Sequence, residues 1–401
     1  CKNCIEMKTI GFTRHEKSQF AIPGQPGWTA LQLTDPTELT IHWPNQQEDV
    51  WMSPSLLSYL MTESQGVSAR ALLLQHEDGR QIALSLQVLR FEPGRQIRQD
   101  TAVGRLGFRR WLSRIFNFRV LALGQFMVSG LHGLRGQQAG LTSKELADIL
   151  HATAKSMARR IGGISALLLK DLVELKDPTV QELDQLGYYQ LPVDPSMHLH
   201  IRENWTSFDD YLIDISSKYR VRYRRARKQL GEDITQRELS LVEVKGWSER
   251  LYQLYLEIKA EADFDAITLS KRYFADMMEL FPGRFRVQAY FLGEELIGFR
   301  TTLDNGPILH AHYLGFDRQL NRERHLYHNI LFDLLNSAIE GGYQDLDFGR
   351  TALEIKSSVG AEPYQYYCAL RSANPMFNWI IPTFAPAAFQ ATEWKQRRPF
   401  K

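Results

Sequence analysis

The segment from residue 308 to residue 363 reads ILHAHYLGFDRQLNRERHLYHNILFDLLNSAIEGGYQDLDFGRTALEIKSSVGAEP and decides the fold of the C-terminal half. An apolar strand is followed by a polar turn and by a helix that Gly341-Gly342 ends. A second strand, Leu346-Asp347-Phe348, then runs into Gly349-Arg350. Because a strand, a turn and the free amides of a helix start form an anion cradle, the segment predicts an anion site at the turn.

Length and composition indicate a protein of two or three ordinary domains. The 401 residues are 44% hydrophobic and 23% charged, as in soluble globular proteins, and no run approaches the ~18 apolar residues of a membrane span. A net charge of +2 does not by itself predict nucleic-acid binding. Cys1, Cys4 and Cys368 cannot form a disulfide framework and lack further zinc ligands nearby, so a reducing cytoplasm is expected.

Each half of the chain repeats one order of elements. Hairpins are predicted around Asp78-Gly79 and around Gly293-Glu294. Each is followed, after an insertion, by a helix, two glycines and a strand. We interpret the repeat as two copies of one α/β unit, each a mixed twisted sheet flanked by helices. The predicted boundaries are an N-terminal extension over 1–45, units over 46–205 and 206–373, and a tail over 374–401.

A basic helix is predicted between the two units, over residues 207–230, with Ser207 as its cap and Gly231 as its stop. Its second half contains seven cations and no acid: Lys218, Arg220, Arg222, Arg224, Arg225, Arg227 and Lys228. Seven like charges repel one another, so an anionic partner such as tRNA, a membrane surface or a phosphorylated substrate is expected at 218–228. A solvated face is the alternative.

A second basic segment, RLGFRRWLSRIFNFR at 105–119, mixes arginines with large apolar side chains. It is typical of a helix lying at a membrane surface. It is equally typical of a helix packed on the domain with its arginines reaching solvent.

The chain resembles the GNAT-type N-acyltransferases, and in its tandem arrangement the FemAB-like branch of that superfamily, from Trp51 to Leu370. The resemblance is most specific in SSKYRVRYRRARKQL (216–230), EELIGFRTTL (294–303) and GGYQDLDFGRTALEIKSSVGAEP (341–363). It implies two tandem GNAT-like units, the C-terminal one active. It also implies transfer of an acyl or aminoacyl group from an acyl-CoA or a charged tRNA to an amine. The N-terminal copy lacks a segment like the third one.

The resemblance also implies site residues. Asp347 is expected to orient Arg350 or Lys356 or to act as general base, with a structural ion pair as the alternative. Lys356 is expected as a catalytic residue and Arg350 as a substrate ligand, while Tyr313 is expected to protonate the leaving group. Arg224 and Arg225 are expected to bind substrate. A GNAT unit holds the pyrophosphate of coenzyme A on a glycine-rich turn, but residues 319–326 contain no glycine. The side chains expected to replace it belong to Arg322, Arg324, His325 and Leu326.

The neighbouring strand carries two histidines. Alternation predicts His310 and His312 on one face, as a histidine pair with no metal, and Tyr313 on the other. No P-loop, dinucleotide fingerprint, HExxH or GxSxG motif occurs, which argues against the common nucleotide-binding and hydrolase classes.

Three functions therefore remain open. The first is a bacterial, cytoplasmic N-acyltransferase that uses acyl-CoA, with peripheral contact to the inner membrane as an option. The second is a Fem-type transferase of cell-wall precursor synthesis, which takes its aminoacyl group from a charged tRNA. The third is a non-catalytic tandem fold that binds an anionic membrane or a glycan. The acceptor amine and the oligomeric state do not follow from the sequence.

Overall fold

The computed structural model describes residues 19–44, 49–63, 65–91, 118–136, 140–260, 267–388 and 391–401. The basic segment 105–119 lies outside the described residues except for its last two, which begin a strand, and Cys1 and Cys4 lie outside them as well. Within the described ranges, no helix is long and apolar enough to cross a bilayer.

The strands form two mixed sheets. In chain order they are β1 (Gln19–Ala21), β2 (Trp28–Leu33), β3 (Val67–His76), β4 (Gln81–Phe91), β5 (Phe118–Leu123), β6 (Leu134–Gly136), β7 (Ala166–Glu174), β8 (Tyr189–Gln190), β9 (Ser196–His200), β10 (Ile234–Glu238), β11 (Phe285–Leu292), β12 (Glu295–Asn305), β13 (Ile308–Phe316), β14 (Asp345–Asp347), β15 (Glu362–Tyr364) and β16 (Tyr366–Ser372). The first sheet has the order β1-β2-β3-β4-β5-β7-β16-β8, with β6 on β4. The second has the order β10-β11-β12-β13-β14-β9-β15.

The helices flank these sheets. They are α1 (Pro36–His42), α2 (Pro54–Thr62), α3 (Ser143–Ile161), α4 (Thr179–Gln185), α5 (Phe208–Asp214), α6 (Ser217–Leu230), α7 (Leu241–Gly246), α8 (Ser248–Lys259), α9 (Tyr273–Leu280), α10 (Arg318–Arg324), α11 (Leu326–Glu340), α12 (Leu353–Ser358) and α13 (Ile381–Ala388). Short 3₁₀ helices cover Val50–Met52 and Pro375–Ile380. The predicted hairpins are confirmed as β3–β4 and β11–β12.

The two sheets exchange one strand each. β9 comes from the N-terminal half of the chain but pairs antiparallel with β14, and β16 comes from the C-terminal half but pairs antiparallel with β7. β5 with β7 and β13 with β14 are the matching parallel pairs. The repeat predicted from the sequence is therefore present. The unit boundaries remain a prediction. Each predicted unit gives one strand, β9 or β16, to the sheet of the other unit.

A fork opens in each sheet where its parallel pair separates. β13 and β14 pair only from Ile308–Asp345 to His310–Asp347. Beyond this point β13 continues to Phe316 without β14, paired only with β12 among the described strands. We call this place the second fork. The first fork lies where β5 ends at Leu123 while β7 continues. The helices α10 and α11 follow β13 in the chain, and ligands commonly lie near the carboxyl ends of strands in such sheets.

One predicted helix is two helices. Residues 207–230 form α5 and α6, which are separated at Ile215 and Ser216. Ile215 is fully buried and bridges to Phe400, and the amide of Ser216 donates to the carbonyl of Pro399. The break therefore arises because the C-terminal tail binds the backbone that a continuous helix would have used for itself.

Candidate active site

His310 and Asp347 face each other at the point where the second fork begins. The imidazole Nδ1 lies 3.1 Å from a carboxylate oxygen of Asp347, and the amide nitrogen of Asn305 lies 3.4 Å from Nε2. The other amide atom of Asn305 accepts from the backbone of Val50, so the amide orientation is fixed. His310 therefore carries its proton on Nδ1 and presents the Nε2 lone pair.

Asp347 is buried and fully engaged. It accepts hydrogen bonds from Ser196 Oγ at 3.0 Å and from the amide of Gly349 at 2.7 Å, and His198 Nε2 lies 3.5 Å away. Burial alone would raise the pKa of this carboxyl. The positive field of His198, with the hydrogen bonds from His310 and Gly349, outweighs burial and holds the pKa well below its usual range. Asp347 is thus an orienting carboxylate for His310 and a weak base by itself.

Lys356 lies on α12 and is buried behind the same turn. Its Nζ donates to the carbonyls of Gly349 at 3.2 Å and Arg350 at 2.6 Å. Burial lowers its pKa to about 7, against the opposing fields of Asp347 and Asp194. The amine therefore holds the backbone that follows β14.

Arg350 connects the two sheets. Its guanidinium lies 2.7 Å from Asp171 on β7, and Lys170 Nζ lies 2.7 Å from the same carboxylate. Asp171 is 1% exposed and has the left-handed φ of 56°, which is rare for a residue other than glycine. Burial would raise the pKa of Asp171, but the two cations hold it below its usual value. Arg350 is therefore occupied by the other half of the chain.

A β-bulge interrupts β13 at the second fork. The hydroxyl of Thr301 accepts from the amide of Tyr313 at 2.9 Å and donates to its carbonyl at 2.8 Å, which takes the place of the strand pairing. The rings of His312 and Tyr313 lie 4.4 Å apart, and both contact Tyr273. The prediction that Tyr313 lies on the opposite face from His312 is wrong, because a bulge breaks strand alternation.

The N-terminal half supplies one wall of the fork. Trp51 is fully buried and packs on His310 and His312, with ring centroids 5.5 and 4.9 Å apart. Asp49 accepts from the Asn305 amide at 3.1 Å and from His132 Nδ1 at 3.1 Å. A chain of polar contacts therefore runs from His132 through Asp49 and Asn305 to His310 and joins the two halves. No group of three metal-ligating side chains occurs in the part of the chain that the structure describes.

The predicted turn before α11 is a helix. Residues 318–324 form α10, which Asp317 caps by accepting from the amide of Leu320 at 2.9 Å. His325 then reverses the chain with a φ of 51°. The amide of Tyr327 donates to the side chain of Asn321 at 2.8 Å. The prediction is wrong because 318–324 has a helix cap and no glycine or proline.

The side chains predicted to bind the donor have different environments. Arg324 is held by Asp233 at 2.9 Å and by the carbonyl of Leu230, and Leu326 is buried in the core. Arg322 is exposed and His325 is half-buried. Arg322 and His325 are thus accessible at the start of α11, whereas Arg324 and Leu326 are used structurally.

The cations of α6 separate into two groups. Arg227 pairs with the buried Asp333, and Arg220 donates to carbonyls at the end of α5. The other five are exposed and have no ion pair among the described residues: Lys218, Arg222, Arg224, Arg225 and Lys228. Burial lowers the pKa of His328, and the positive fields of His325 and Arg222 lower it further. This exposed basic face therefore reaches the first turn of α11.

The starts of the two equivalent helices differ. At α3, the Glu145 side chain accepts from the Thr142 backbone in a capping box, so an acid of the chain occupies that helix start. The first turn of α11 has no acid. An external anion can therefore gain from the α11 dipole, whereas Glu145 repels one at α3.

Sequence analysis did not identify His310, His198, Ser196 or Asp171 as members of the site. His310 would have been found by aligning the ends of the two predicted parallel strands. Ser196 and His198 give no such signal, since the exchange of β9 brings Ser196 to Asp347 from 151 residues away in sequence.

Known proteins resemble this chain in two ways: in the sequence of its C-terminal half and in the fold of most of its length. The family of acetyltransferase (GNAT) domains matches residues 217–366. The crystal structure of FemX is 13% identical, with a TM-score of 0.51 over 84% of this chain and 98% of that one. A tandem GNAT protein from the clavulanic acid biosynthesis pathway is 11% identical, with a TM-score of 0.49 over 87% and 99%. No curated protein matches the chain in sequence. The predicted tandem GNAT-like fold is confirmed.

Proposed function

We propose that this chain, whose residues 217–366 form a GNAT-type acyltransferase domain, transfers an acyl group from acyl-CoA to an amine at the second fork. The observation that carries the proposal is the start of α11. It has no acid, lies beside an exposed basic face and follows β13, the strand on which His310 meets Asp347. The same elements thus offer an anion site and a base within one unit.

The proton route in this proposal runs through His310. As the acceptor amine attacks the thioester carbonyl, Nε2 of His310 takes the amine proton in place of its long contact to Asn305. Asp347 holds the ring by its bond to Nδ1 and stabilises the imidazolium that forms. Tyr313, at the bulge, is the proposed donor to the departing thiolate. Trp51 and its neighbours from the other half keep water from this face.

Donor binding is proposed at the start of α11. Because α10 replaces a glycine-rich turn, the backbone offers less of the close approach that a pyrophosphate uses elsewhere. Arg322 and Arg222 supply side-chain contacts instead, and both are exposed. The rings of His325 and His328 line the same turn, with centroids 5.7 Å apart.

Calorimetry with acetyl-CoA and a long-chain acyl-CoA tests the donor. We expect micromolar binding by the wild type and about a tenfold loss in Arg222→Ala/Arg322→Ala, since each lost charge-assisted bond is worth about 1.5 kcal/mol or less when exposed. Arg159→Ala is the matched control, because it removes an exposed arginine from the last turn of α3. Binding that is unchanged in the double variant would contradict this donor site.

A charged tRNA is the second candidate donor, and the five exposed cations of α6 favour it. If these cations contact phosphates, the logarithm of the tRNA affinity should fall steeply with the logarithm of the salt concentration. Arg224→Ala/Arg225→Ala should lower that slope by about 1–2. A flat salt dependence would remove this candidate. With either donor, acyl-CoA or charged tRNA, we propose a cytoplasmic enzyme that acts on an amine acceptor.

A further inference from the structure

We infer that Asn305 sets the proton arrangement of His310, because its neutral amide separates Nε2 of that ring from the carboxylate of Asp49 in the N-terminal half. The amide nitrogen lies 3.1 Å from a carboxylate oxygen of Asp49 and 3.4 Å from Nε2 of His310. Asn305, Asp49 and His310 are 5%, 4% and 2% exposed, so these contacts form where hydrogen bonds are stronger than in bulk water. Asn305 is thus a positioning residue, which acts through the ring of the proposed base.

Two contacts fix the orientation of this amide. Its oxygen accepts from the backbone amide of Val50 at 2.7 Å, and its nitrogen donates to Asp49. A flipped amide would bring two donors together at Val50 and two acceptors together at Asp49, which is unfavourable at both ends. The second N–H of the amide faces Nε2 of His310. Nε2 therefore keeps its lone pair, while Nδ1 donates to Asp347 at 3.1 Å.

The N-terminal half holds Asp49 in place as an anion. The carboxylate lies 3.1 Å from Nδ1 of His132 and 2.6 Å from Nη2 of Arg135, and it accepts from the backbone amide of Trp51 at 3.2 Å. Burial would raise the pKa of Asp49, but the hydrogen bond from His132 and the charge of Arg135 hold it below its usual value. A buried negative charge therefore lies on the far side of the amide from His310.

The amide matters because His310 lies between two carboxylates. Asp347 accepts from Nδ1, and Asp49 lies beyond Nε2 with the Asn305 amide between them. Carboxylates in direct contact with both ring nitrogens would stabilise the imidazolium, which cannot accept a further proton. An amide N–H directed at Nε2 keeps that nitrogen bare instead. The use of this lone pair as a base rests on the proposed function, whereas the placement of the protons rests on these contacts.

The neighbouring imidazoles also oppose a charge on His310. The ring centroids of His132 and His310 lie 5.1 Å apart, and His312 lies two residues away on the same strand. Burial lowers the pKa of His132 and lowers that of His312 to about 3, and the field of His310 lowers both further. A second carboxylate at Nε2 would work against these neighbours, and the Asn305 amide works with them.

Exchanging the amide and the carboxylate tests the inference. Asp49→Asn/Asn305→Asp keeps one of each in the same buried place but puts the carboxylate against Nε2. Nitrogen NMR of the histidine rings at neutral pH, with the His310 signals assigned from His310→Gln, should show a bare Nε2 in the wild type. In the exchange variant both ring nitrogens should be protonated. The matched control is Asp49→Asn, which also takes the charge from His132 and Arg135 but leaves the amide in place, so Nε2 should stay bare.

This experiment contains neither donor nor acceptor, so its failure and that of the proposed function are distinguishable. An absence of acyl transfer would contradict the proposed function and leave the ring protons as inferred. A bare Nε2 in the exchange variant would overturn the inference, and so would a protonated Nε2 in the wild type or in Asp49→Asn. If thermal unfolding shows that the exchange variant is not folded, the wild type and Asp49→Asn still decide, since a bare Nε2 in both supports the inference.

Discussion

The two halves share one order of strands and helices but close their forks in different ways. In the first half, Glu145 caps the start of α3, and a Cβ on Gly124 would collide with the carbonyl of Lys170. The loop after β5 also bonds to β7, since Lys170 donates to the carbonyl of Val128. In the first half, therefore, side chains of the protein itself bond at the helix start and to the loop after β5.

The corresponding helix start and fork of the second half are built differently. The start of α11 has a left-handed His325 and no acid, and its fork has a bulge in β13 and a wall from the other half. The comparison teaches that a duplicated fold can keep one copy as a scaffold. In the first copy a side chain of the protein occupies the helix start, which is free of acids in the second copy.

The largest expected effect comes from the carboxylate at the second fork. Asp347→Asn should lower turnover by about 10²–10⁴-fold, because the amide cannot hold His310 as the carboxylate does. Donor affinity by calorimetry should stay close to that of the wild type. Asp345→Asn is the matched control, since it lies on the same strand and accepts from His200 at 3.3 Å. Equal turnover in both variants would remove Asp347 from the site.

In the first half, the largest expected effect of a substitution is on the free energy of unfolding. Asp171→Asn should lower the free energy of unfolding by about 3–5 kcal/mol, since it leaves Lys170 and Arg350 without their buried partner. Denaturant titration measures this loss. The exposed pair of Lys144 with Asp148 provides the control, and Asp148→Asn should cost about 1 kcal/mol or less. A small effect at Asp171 would mean that the bridge between the sheets contributes little.

Lys356 should give the second half a pH dependence of stability. Its folded-state pKa of about 7 lies below the usual 10.5. Between these values the unfolded chain holds a proton that the folded chain has released, so the free energy of unfolding rises with pH in that window. Relative to Lys356→Met, the wild type should gain a few kcal/mol from pH 7 to pH 10. A constant difference between the two proteins would contradict the shift.

The smallest effect should come from giving α11 the acid that α3 has. His328 occupies the position in α11 that Glu145 occupies in α3. His328→Glu should weaken acyl-CoA binding about five- to thirtyfold, because a fixed acid at a helix start competes with an anion for the dipole. His328→Gln separates the charge from the loss of imidazole. Glu145→Gln should leave donor binding unchanged, and a loss there would show that α3 also binds donor.

Local patterns predicted the elements well. The turn residues of the hairpins and the Gly341-Gly342 pair that ends α11 each specify one local structure. The resemblance of 341–363 to the GNAT segment pointed to Asp347, and this residue lies in a polar cluster at the end of β14. These signals lie within a short stretch of chain, so a sequence displays them directly.

The missing parts depended on distant contacts. The C-terminal tail, at Pro399 and Phe400, divides the predicted basic helix in two. No residue within 207–230 predicts that break. Arg350 reads as a substrate ligand until Asp171 comes within 2.7 Å of it. Pairing between residues far apart is set by packing of whole elements, which a periodic pattern does not encode.

The exchange of β9 and β16 has a consequence for synthesis on the ribosome. The first sheet is incomplete until Ser372 has been made, because Cys368 pairs with Lys170. The second sheet cannot form its centre until Asp347 meets His198. Pairings of such sequence separation form slowly, and the early strands wait with unpaired edges that invite association with other chains. Neither half should therefore mature alone when expressed as a fragment, and both sheets can be completed only after the last quarter of the chain has emerged.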